Sequence, residues 1–330
     1  MKFEERMFKF LTQLAVVAAI PDIGKIIERA NQEMPPAWPL PKHVCAAVGG
    51  GEKEAIEASI AIACCQISII LIDDLLDEDP RGEHHRIGVG SAANYASAFQ
   101  TAGIEVVLNS NMSEKTKLLA IHIINSMMRD TAAGQEIDIQ NPDNEEAYWQ
   151  MVRAKSSPYF GAAFAVGALF GGASPELAYQ MKKLGELHGE IVQIGDDLED
   201  TMESPAGPDW GNGRYTLPIL FASIVEHPER QLFLEIRKSV ETVADLEAAQ
   251  DILIRCGAVG YCLDQILWRY EQAKQMWSEF ELDDRSPVEA IFLESVTPVW
   301  NLLGGLGEAL PEDFRPNYGD VTLDAPVTAG

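Results

Sequence analysis

The sequence predicts an all-α protein, built as one single-domain helical bundle. Apolar residues recur at three- and four-residue spacing along most of the chain, which is the period of a helix with one buried face. No series of alternating strand segments competes with that pattern. Clusters of Gly and Pro interrupt it, but none is long enough to act as a linker between two domains. The 330 residues, of which 47% are apolar and 23% charged, suffice for a large core.

The helical period defines a series of predicted elements in chain order. They cover residues 3–30, 52–78, 91–108, 113–133, 145–170, 175–203, 216–226, 228–240, 244–282 and 287–308. Ser174 before Pro175 has the pattern of a helix N-cap with proline in the first turn. The stretch after Pro311 is polar and poor in large apolar residues. We therefore expect one domain over residues 1–311 and a flexible C-terminal tail over residues 312–330.

Charge and cysteine content exclude several function classes. Acidic residues outnumber basic ones by 51 to 25, for a formal net charge of −26. Such a surface repels phosphate backbones and anionic lipid headgroups, so we expect no nucleic-acid partner. The apolar run from Ile60 to Ile72 is too short to span a bilayer, so stable membrane insertion is not expected either. Five scattered cysteines without zinc spacing indicate a reduced, cytoplasmic protein.

Two acidic clusters are the strongest signal of chemistry. Asp73-Asp74-Leu75-Leu76-Asp77 and Asp196-Asp197-Leu198-Glu199-Asp200 each follow an apolar helical segment and share the pattern Asp-Asp-x-x-Asp. Positions i and i+4 of a helix lie on one face, so two such faces opposed across a bundle form a cage of oxygen ligands. Mg²⁺ prefers ligands of this kind. The predicted metal ligands are Asp73, Asp74, Asp77, Asp196, Asp197 and Asp200.

One acidic run alone is explained equally well as a solvated helix end. Two copies are harder to explain in that way, because carboxylates near a helix C-terminus oppose the helix dipole. Like charges at adjacent and i+4 positions also repel one another unless a cation compensates them. The repetition of this costly arrangement therefore favours bound metal ions.

These residues resemble the trans-isoprenyl diphosphate synthase family, or polyprenyl synthetases, over residues 45–275. The two acidic clusters resemble the family's two aspartate-rich motifs. Between them, Gly134-Gln135-Glu136-Ile137-Asp138 resembles the family's G-Q-x-x-D, and Lys155-Ser156 stands where a Lys-Thr pair is usual. Downstream, Asp209 and the run Gly213-Arg214-Tyr215-Thr216-Leu217-Pro218 resemble D-x-x-x-G-K-x-T-L-P, with Arg214 in place of the lysine.

The resemblance implies a helical bundle of the isoprenoid synthase type with a central active-site cavity. It implies a homodimer that binds an allylic prenyl diphosphate with three Mg²⁺ ions and ionises it to a carbocation. Arg81, Lys155 and Arg214 would bind the diphosphate. Ser68, Gln135, Asp138 and Gln193 would line the substrate cavity. Ser68, five residues before Asp73, stands where short-chain synthases often have a Phe or Tyr that closes the tunnel, so it leaves room for a C20 or longer chain. Cys65, Ile69 or a residue of another helix is the alternative tunnel floor, and the tail length stays open.

The pattern departs from the family where chain-elongating members bind isopentenyl diphosphate. The segment expected to read G-K-x-x-R-P corresponds to residues 36–41, which contain neither Lys nor Arg. Gln66 stands where a histidine is usual, and only Arg81 remains of an Arg-Arg pair. A diphosphate is not expected to bind a site that lacks most of its cations in so acidic a protein. The isopentenyl diphosphate site is therefore predicted to be degraded.

Several functions remain open at this point. The chain is predicted to be a Mg²⁺-dependent prenyltransferase whose acceptor is isopentenyl diphosphate or a different molecule. The second case resembles prenyltransferases that modify a pheromone peptide or a phosphoglycolipid antibiotic precursor. The alternative is a class I terpene cyclase derived from the same family, in which the substrate's own double bonds capture the cation. An inactive regulatory subunit is disfavoured because both aspartate motifs are intact.

Overall fold

A computed structural model describes residues 2–33, 35 and 37–305, and this part of the chain forms seventeen α-helices without a β-strand. The first eight are α1 (Phe3–Leu11), α2 (Ala15–Ala19), α3 (Pro21–Glu33), α4 (Leu40–Ala47), α5 (Glu52–Leu76), α6 (His84–Ile87), α7 (Val89–Asn109) and α8 (Glu114–Ile139). The others are α9 (Glu145–Lys155), α10 (Ser157–Phe170), α11 (Pro175–Met202), α12 (Pro208–Gly211), α13 (Leu217–Ile224), α14 (Arg230–Ile236), α15 (Val243–Arg255), α16 (Ala258–Ser278) and α17 (Ser286–Gly305). The all-α prediction is confirmed. The predicted tail, residues 312–330, lies outside the described residues.

Several predicted helices are divided into shorter ones in the structure. The segment 3–30 forms three helices, and Pro21 begins the third of them. The segment 145–170 divides at Ser156, just before the proline in the first turn of α10. The segment 244–282 divides at Gly257, whose φ of 88° is left-handed and incompatible with a continuous helix. Residues 40–47 form α4, a helix that the sequence pattern did not predict.

Helix α10 lies at the centre of the bundle. Every one of its residues except Phe160 is buried, and it packs against α4, α5, α8, α9 and α11. The contact with α11 is close because two glycines of α11 face α10. A Cβ at Gly185 would lie 2.4 Å from the Phe160 carbonyl oxygen, and one at Gly189 would lie 2.9 Å from the Ser157 Cα. Helix α11 is thereby held against the core along the turns that precede its acidic cluster.

Helix α5 is long and apolar enough to cross a membrane by length and composition alone. Its mean hydropathy over 18 residues is 2.2, and 72% of that window is buried inside the bundle. A core helix of a globular protein passes the same test. Here α5 packs against α1, α4, α7, α8 and α10, so its apolar side chains are covered by other helices of the same chain.

The crossing of α8 and α9 depends on Gly134. A Cβ at this position would lie 2.2 Å from the Lys155 backbone nitrogen, which is far inside van der Waals contact. The absence of a side chain therefore allows the end of α9 to rest directly on α8. This close approach fixes the position of Lys155 relative to Asp138, which lies one turn further along α8.

We expect Gly134→Ala to destabilise the protein by about 1–3 kcal/mol, because α9 must move away from α8 to admit the methyl group. Gly195→Ala is the matched control, since nothing lies within 4 Å of a Cβ placed at that helical glycine. The control should be stabilised by about 0.5–1 kcal/mol through helix propensity. Urea denaturation followed by circular dichroism measures both values. Equal stability of the two variants would contradict the close crossing.

Candidate active site

The first acidic cluster lies where α5 ends and is paired with two cations from distant parts of the chain. Lys155 Nζ is 3.2 Å from Asp73 Oδ1, and Arg214 Nη2 donates a hydrogen bond of 2.8 Å to Asp77 Oδ1. Asp73 belongs to the last turn of α5 and Asp77 is its C-cap residue. The structure therefore brings together Asp73, Asp77, Lys155 and Arg214, as the sequence predicted.

Asp138, near the end of α8, connects these two cations. Its Oδ2 accepts a hydrogen bond of 2.6 Å from Lys155 Nζ, and its backbone carbonyl accepts one of 2.6 Å from Arg214 Nη1. Burial alone would lower the pKa of Lys155, but the charges of Asp73 and Asp138 outweigh burial and raise it. Lys155 is therefore a firmly protonated cation. Asp138 acts on the two cations and does not line the cavity described below.

Negative charge at the first cluster remains undercompensated despite these pairs. Burial, together with the charges of Asp79 and Asp73, raises the pKa of Asp74 to about 6. Burial and the charge of Asp73 also raise the pKa of Asp77, although Lys155 and Arg214 act in the opposite direction. These carboxyl groups would be stabilised by an additional cation at the site.

The second cluster is more strongly perturbed than the first. Desolvation by the surrounding protein is the largest cause that raises the pKa of Asp196 to about 7, and the charges of Asp197, Asp200 and Glu199 raise it further. The Asp196 side chain nevertheless has an exposed surface. Burial and two neighbouring glutamates raise the pKa of Asp200. The charge of Arg81 opposes this rise in the pKa of Asp200.

Asp209 is affected by the charges of both clusters. Burial raises the pKa of this carboxyl group, and the charges of Asp200, Asp138 and Asp77 raise it further while Arg214 lowers it. These are residues of both motifs and of α8, so their charges act together on one site. The sequence motif contained Asp209, but motif matching alone assigned it no role.

Asp197 has a different environment from the other predicted metal ligands. It is 5% exposed, and its Oδ2 accepts hydrogen bonds of 2.7 Å from the Tyr148 hydroxyl and 2.7 Å from the Leu217 backbone N–H. Its Oδ1 accepts a bond of 2.8 Å from Gln193 Nε2. Burial raises its pKa to about 6, although these three donors oppose the shift. Both oxygens are engaged by protein donors, so the structure does not place Asp197 with the other predicted metal ligands.

Gln193 and Arg81 also differ from their predicted places. Gln193 bonds to Asp197 and accepts a hydrogen bond from the Ser156 hydroxyl, so it belongs to a polar network between α9 and α11 and not to the cavity wall. Arg81 is 81% exposed and pairs with Asp79 at 3.0 Å. It therefore faces solvent near the second cluster and is already occupied by a carboxylate.

A cavity of about 460 Å³ opens beside the first cluster, between α5, α7 and α8. Ser68, Asp73 and Gln135 contribute to its wall, as does Thr131, which lies one helical turn before Gln135. Gln135 Nε2 and Thr131 Oγ1 are buried without a hydrogen-bond partner, so both remain available to a molecule in the cavity. Ser68 and Gln135 thus occupy their predicted places. The sequence analysis did not name Thr131, but its position four residues before Gln135 on the same helix could have predicted that both face the cavity.

The carboxylates suit Mg²⁺ in kind but do not form a complete metal site by themselves. Among residues 2–33, 35 and 37–305, no three His, Cys, Asp or Glu side chains are close enough together to hold a metal ion. Mg²⁺ commonly uses one or two carboxylates and completes its shell with water and substrate phosphate. Asp73 Oδ1 is ion-paired with Lys155 but accepts no hydrogen bond. Burial and neighbouring carboxylates raise the pKa values of Asp74 and Asp196, so a bound cation would stabilise the ionised form of both groups.

Comparison with known proteins identifies the family. The sequence pattern of polyprenyl synthetases matches residues 41–253, which include every acidic and basic residue of the site described above. The chain belongs to the polyprenyl synthetase family. It is 26% identical to a geranylgeranyl diphosphate synthase of Methanosarcina mazei over 245 residues, or 69% of this chain and 74% of the relative. A short chain isoprenyl diphosphate synthase of Methanothermobacter thermautotrophicus is 26% identical over 266 residues, or 76% and 81%.

Solved structures confirm the fold of this polyprenyl synthetase. Geranylgeranyl pyrophosphate synthetase from Pyrococcus horikoshii matches with a TM-score of 0.73 at 22% identity, covering 88% of this chain and 98% of that one. A polyprenyl synthase from Caulobacter crescentus, complexed with calcium and isoprenyl diphosphate, matches with a TM-score of 0.73 at 21% identity over 89% and 95%. The fold is that of isoprenoid synthases, and family membership makes this enzyme a prenyltransferase.

The two neighbouring aspartates of the second cluster should respond differently to truncation. Asp197→Ala removes three buried hydrogen bonds and should lower the free energy of unfolding by about 3 kcal/mol. Asp196→Ala removes repulsion between neighbouring carboxylates, so it should lower the free energy of unfolding by less than about 0.5 kcal/mol or increase it. Urea denaturation at pH 8 without metal measures both. A smaller loss of unfolding free energy in Asp197→Ala than in Asp196→Ala would show that these three hydrogen bonds do not stabilise the protein.

Proposed function

We propose that this enzyme uses Mg²⁺ to ionise an allylic prenyl diphosphate and transfers the prenyl group to an acceptor other than isopentenyl diphosphate. The observation that carries the first half is the joint placement of Lys155 and Arg214 against the first aspartate cluster, beside a cavity of about 460 Å³. Two fixed cations beside a cavity with a largely apolar wall suit a ligand with an anionic head and an apolar tail.

The two cations have a defined task in this reaction. As the C–O bond of the substrate breaks, negative charge accumulates on the departing pyrophosphate. Lys155 is protonated and anchored by Asp138, and Arg214 is anchored by Asp77 and the end of α8. Both are therefore positioned before the substrate arrives, so little reorganisation is needed when the charge develops. Bound Mg²⁺ would supply further positive charge to the leaving group, and the residues that would hold it are Asp73, Asp74, Asp77, Asp196 and Asp200.

The cavity wall would protect the reactive prenyl cation. Ile69, Ile72 and Met128 supply apolar surface to the wall, and Asp73, Thr131 and Gln135 supply polar atoms to it. Exclusion of water by such a wall keeps a carbocation from premature capture. Ser68 is a small side chain in the same wall, so it leaves space along the cavity for a long prenyl tail.

The second half of the proposal rests on the cations near the predicted acceptor position. Leu40 is 6% exposed and packs in the core, so it contributes no charge there. Gln66 Oε1 accepts a hydrogen bond of 3.1 Å from the Tyr159 hydroxyl. Lys42 Nζ is 3.7 Å from Glu4 Oε1 and lies over the ring of Phe3 at 4.5 Å. Leu40 and Gln66 therefore carry no charge, and the charge of Lys42 is paired with Glu4 of the same chain.

Chain elongation with isopentenyl diphosphate is the second candidate function. It is favoured by the relatives, which include synthases named for geranylgeranyl diphosphate and for short isoprenyl diphosphates. Terpene cyclisation remains the alternative in which no external acceptor is used. The homodimer, the cytoplasmic location and the absence of stable membrane insertion stay predictions from the sequence.

Removal of a predicted metal ligand should abolish turnover without unfolding the protein. Asp73→Ala or Asp196→Ala should lower kcat by about a thousandfold or more, because leaving-group stabilisation is worth several kcal/mol. Asp251→Ala on α15, whose side chain is 68% exposed, is the control and should keep wild-type turnover. Pyrophosphate release with saturating Mg²⁺ measures the effect. Wild-type kcat in either site variant would refute the proposed metal ligands.

The acceptor is tested by incubating the enzyme and Mg²⁺ with C10, C15 and C20 allylic diphosphates, with and without isopentenyl diphosphate. Each lost charge-assisted contact costs about 1.5–3 kcal/mol, so the loss of two should weaken isopentenyl diphosphate by roughly a hundredfold or more. We expect pyrophosphate release that micromolar isopentenyl diphosphate stimulates little. Efficient elongation with a micromolar KM would return the enzyme to the second candidate, and cyclic hydrocarbon products would identify a cyclase.

A further inference from the structure

Asn141 has an unusual backbone conformation and an unusual set of contacts. It follows the end of α8 and has a φ of 53°, in the left-handed region that few residues other than Gly and Asn adopt readily. Its backbone N–H donates a hydrogen bond of 2.8 Å to the Asp138 carbonyl oxygen. This is the same oxygen that accepts a bond from Arg214 Nη1. Asn141 and Arg214 therefore meet at one atom at the end of α8.

The side chain of Asn141 also holds the segment that carries Arg214. Its Nδ2 donates a hydrogen bond of 2.9 Å to the Gly213 carbonyl oxygen, and its Oδ1 accepts one of 3.0 Å from the Tyr215 backbone N–H. One amide thus bonds the residues on both sides of Arg214, more than seventy positions away in sequence. The left-handed backbone turns this amide away from α8 and toward the segment.

The segment has further anchors besides Asn141, and one of them shares the Gly213 carbonyl oxygen with it. Arg237 Nη2 donates a bond of 2.8 Å to the Gly213 carbonyl, and its guanidinium lies over the Tyr215 ring at 3.6 Å. Thr216 and Thr201 share a hydroxyl hydrogen bond of 2.7 Å. These contacts attach the segment to α14 and α11, whereas Asn141 is its attachment to α8, where the Arg214 side chain binds.

We propose that Asn141 is a positioning residue, which holds residues 213–215 so that the Arg214 guanidinium reaches Asp77 and the end of α8. The inference rests on the proposed function, in which Arg214 stabilises the departing pyrophosphate. A long side chain finds one geometry only if its backbone is fixed, and small misplacements of a catalytic group are costly in rate. Asn141 touches neither the cavity nor the acidic clusters through its side chain, so it acts through Arg214.

The test is a double-mutant cycle. Asn141→Gly keeps the left-handed backbone and removes only the amide. With Mg²⁺ and farnesyl diphosphate as the probe, Asn141→Gly should lower kcat for pyrophosphate release by about 10–100-fold and change KM by less than about threefold. In the Arg214→Ala background the same change should lower kcat by less than about twofold. Gln140→Ala is the matched control, because its exposed amide bonds only to Glu136 within α8.

Three outcomes would overturn the proposal: wild-type kcat in Asn141→Gly, an equal loss in both backgrounds, or an equal loss in Gln140→Ala. Asn141→Asp provides a second variant that keeps the oxygen facing Tyr215 but presents a carboxylate oxygen to the Gly213 carbonyl. It should show the same dependence on Arg214.

Thermal unfolding of the same proteins separates this inference from the proposed function. If the wild type releases no pyrophosphate from any allylic probe, the proposed function fails and the unfolding cycle still decides the role of Asn141. Asn141→Gly should lower the midpoint by roughly 2–4 °C in the wild type and by less than half as much in Arg214→Ala. Equal shifts in the two backgrounds would overturn the coupling.

Discussion

The unbalanced negative charge where α5 and α11 end is the constraint on which the site depends. Both helices place carboxylates at a terminus that already carries the negative end of the helix dipole. Asp138 resolves part of this conflict because it holds Lys155 through its side chain and Arg214 through its carbonyl oxygen. The close approach of α9 at Gly134 places Lys155 within reach of Asp138. The packing at Gly134 and the ion pairs of Asp138 thus together position Lys155 and Arg214.

The two aspartate motifs share a pattern but have different roles in the structure. In the first, α5 ends before the last aspartate, so Asp77 is a C-cap residue that Arg214 can reach. In the second, α11 continues to Met202 and packs its inner face into the core. The middle aspartate, Asp197, lies on that inner face and bonds to Tyr148 and the start of α13. The second aspartate of the motif is thus partly buried in the first cluster, as Asp74, and buried in the second, as Asp197.

This contrast defines what could be predicted from the sequence. Helical period and breakers predicted the bundle, because burial of an apolar stripe is a local property of each segment. The family resemblance implied that the first aspartate motif, Lys155 and Arg214 act on one diphosphate. The structure places Lys155 beside Asp73 and Arg214 beside Asp77. The inward orientation of Asp197 and the long-range hydrogen bonds of Asn141 could not be predicted, since each depends on how distant helices pack. The breaks at Ser156 and Gly257 interrupt segments whose apolar period continues across them.

Internal pairing also explains why a second diphosphate would be hard to bind under the proposed function. A chain with a net charge of −26 repels each incoming anion, so a binding cation must be both close and available. Lys155 and Arg214 can exchange a carboxylate contact for a phosphate contact and remain anchored by Asp138. Arg81 pairs with Asp79 near the surface, and Lys42 pairs with Glu4 and lies over the Phe3 ring, so neither is held by Asp138. The cations that are held in place thus lie on one side of the site, the side that would bind the allylic diphosphate.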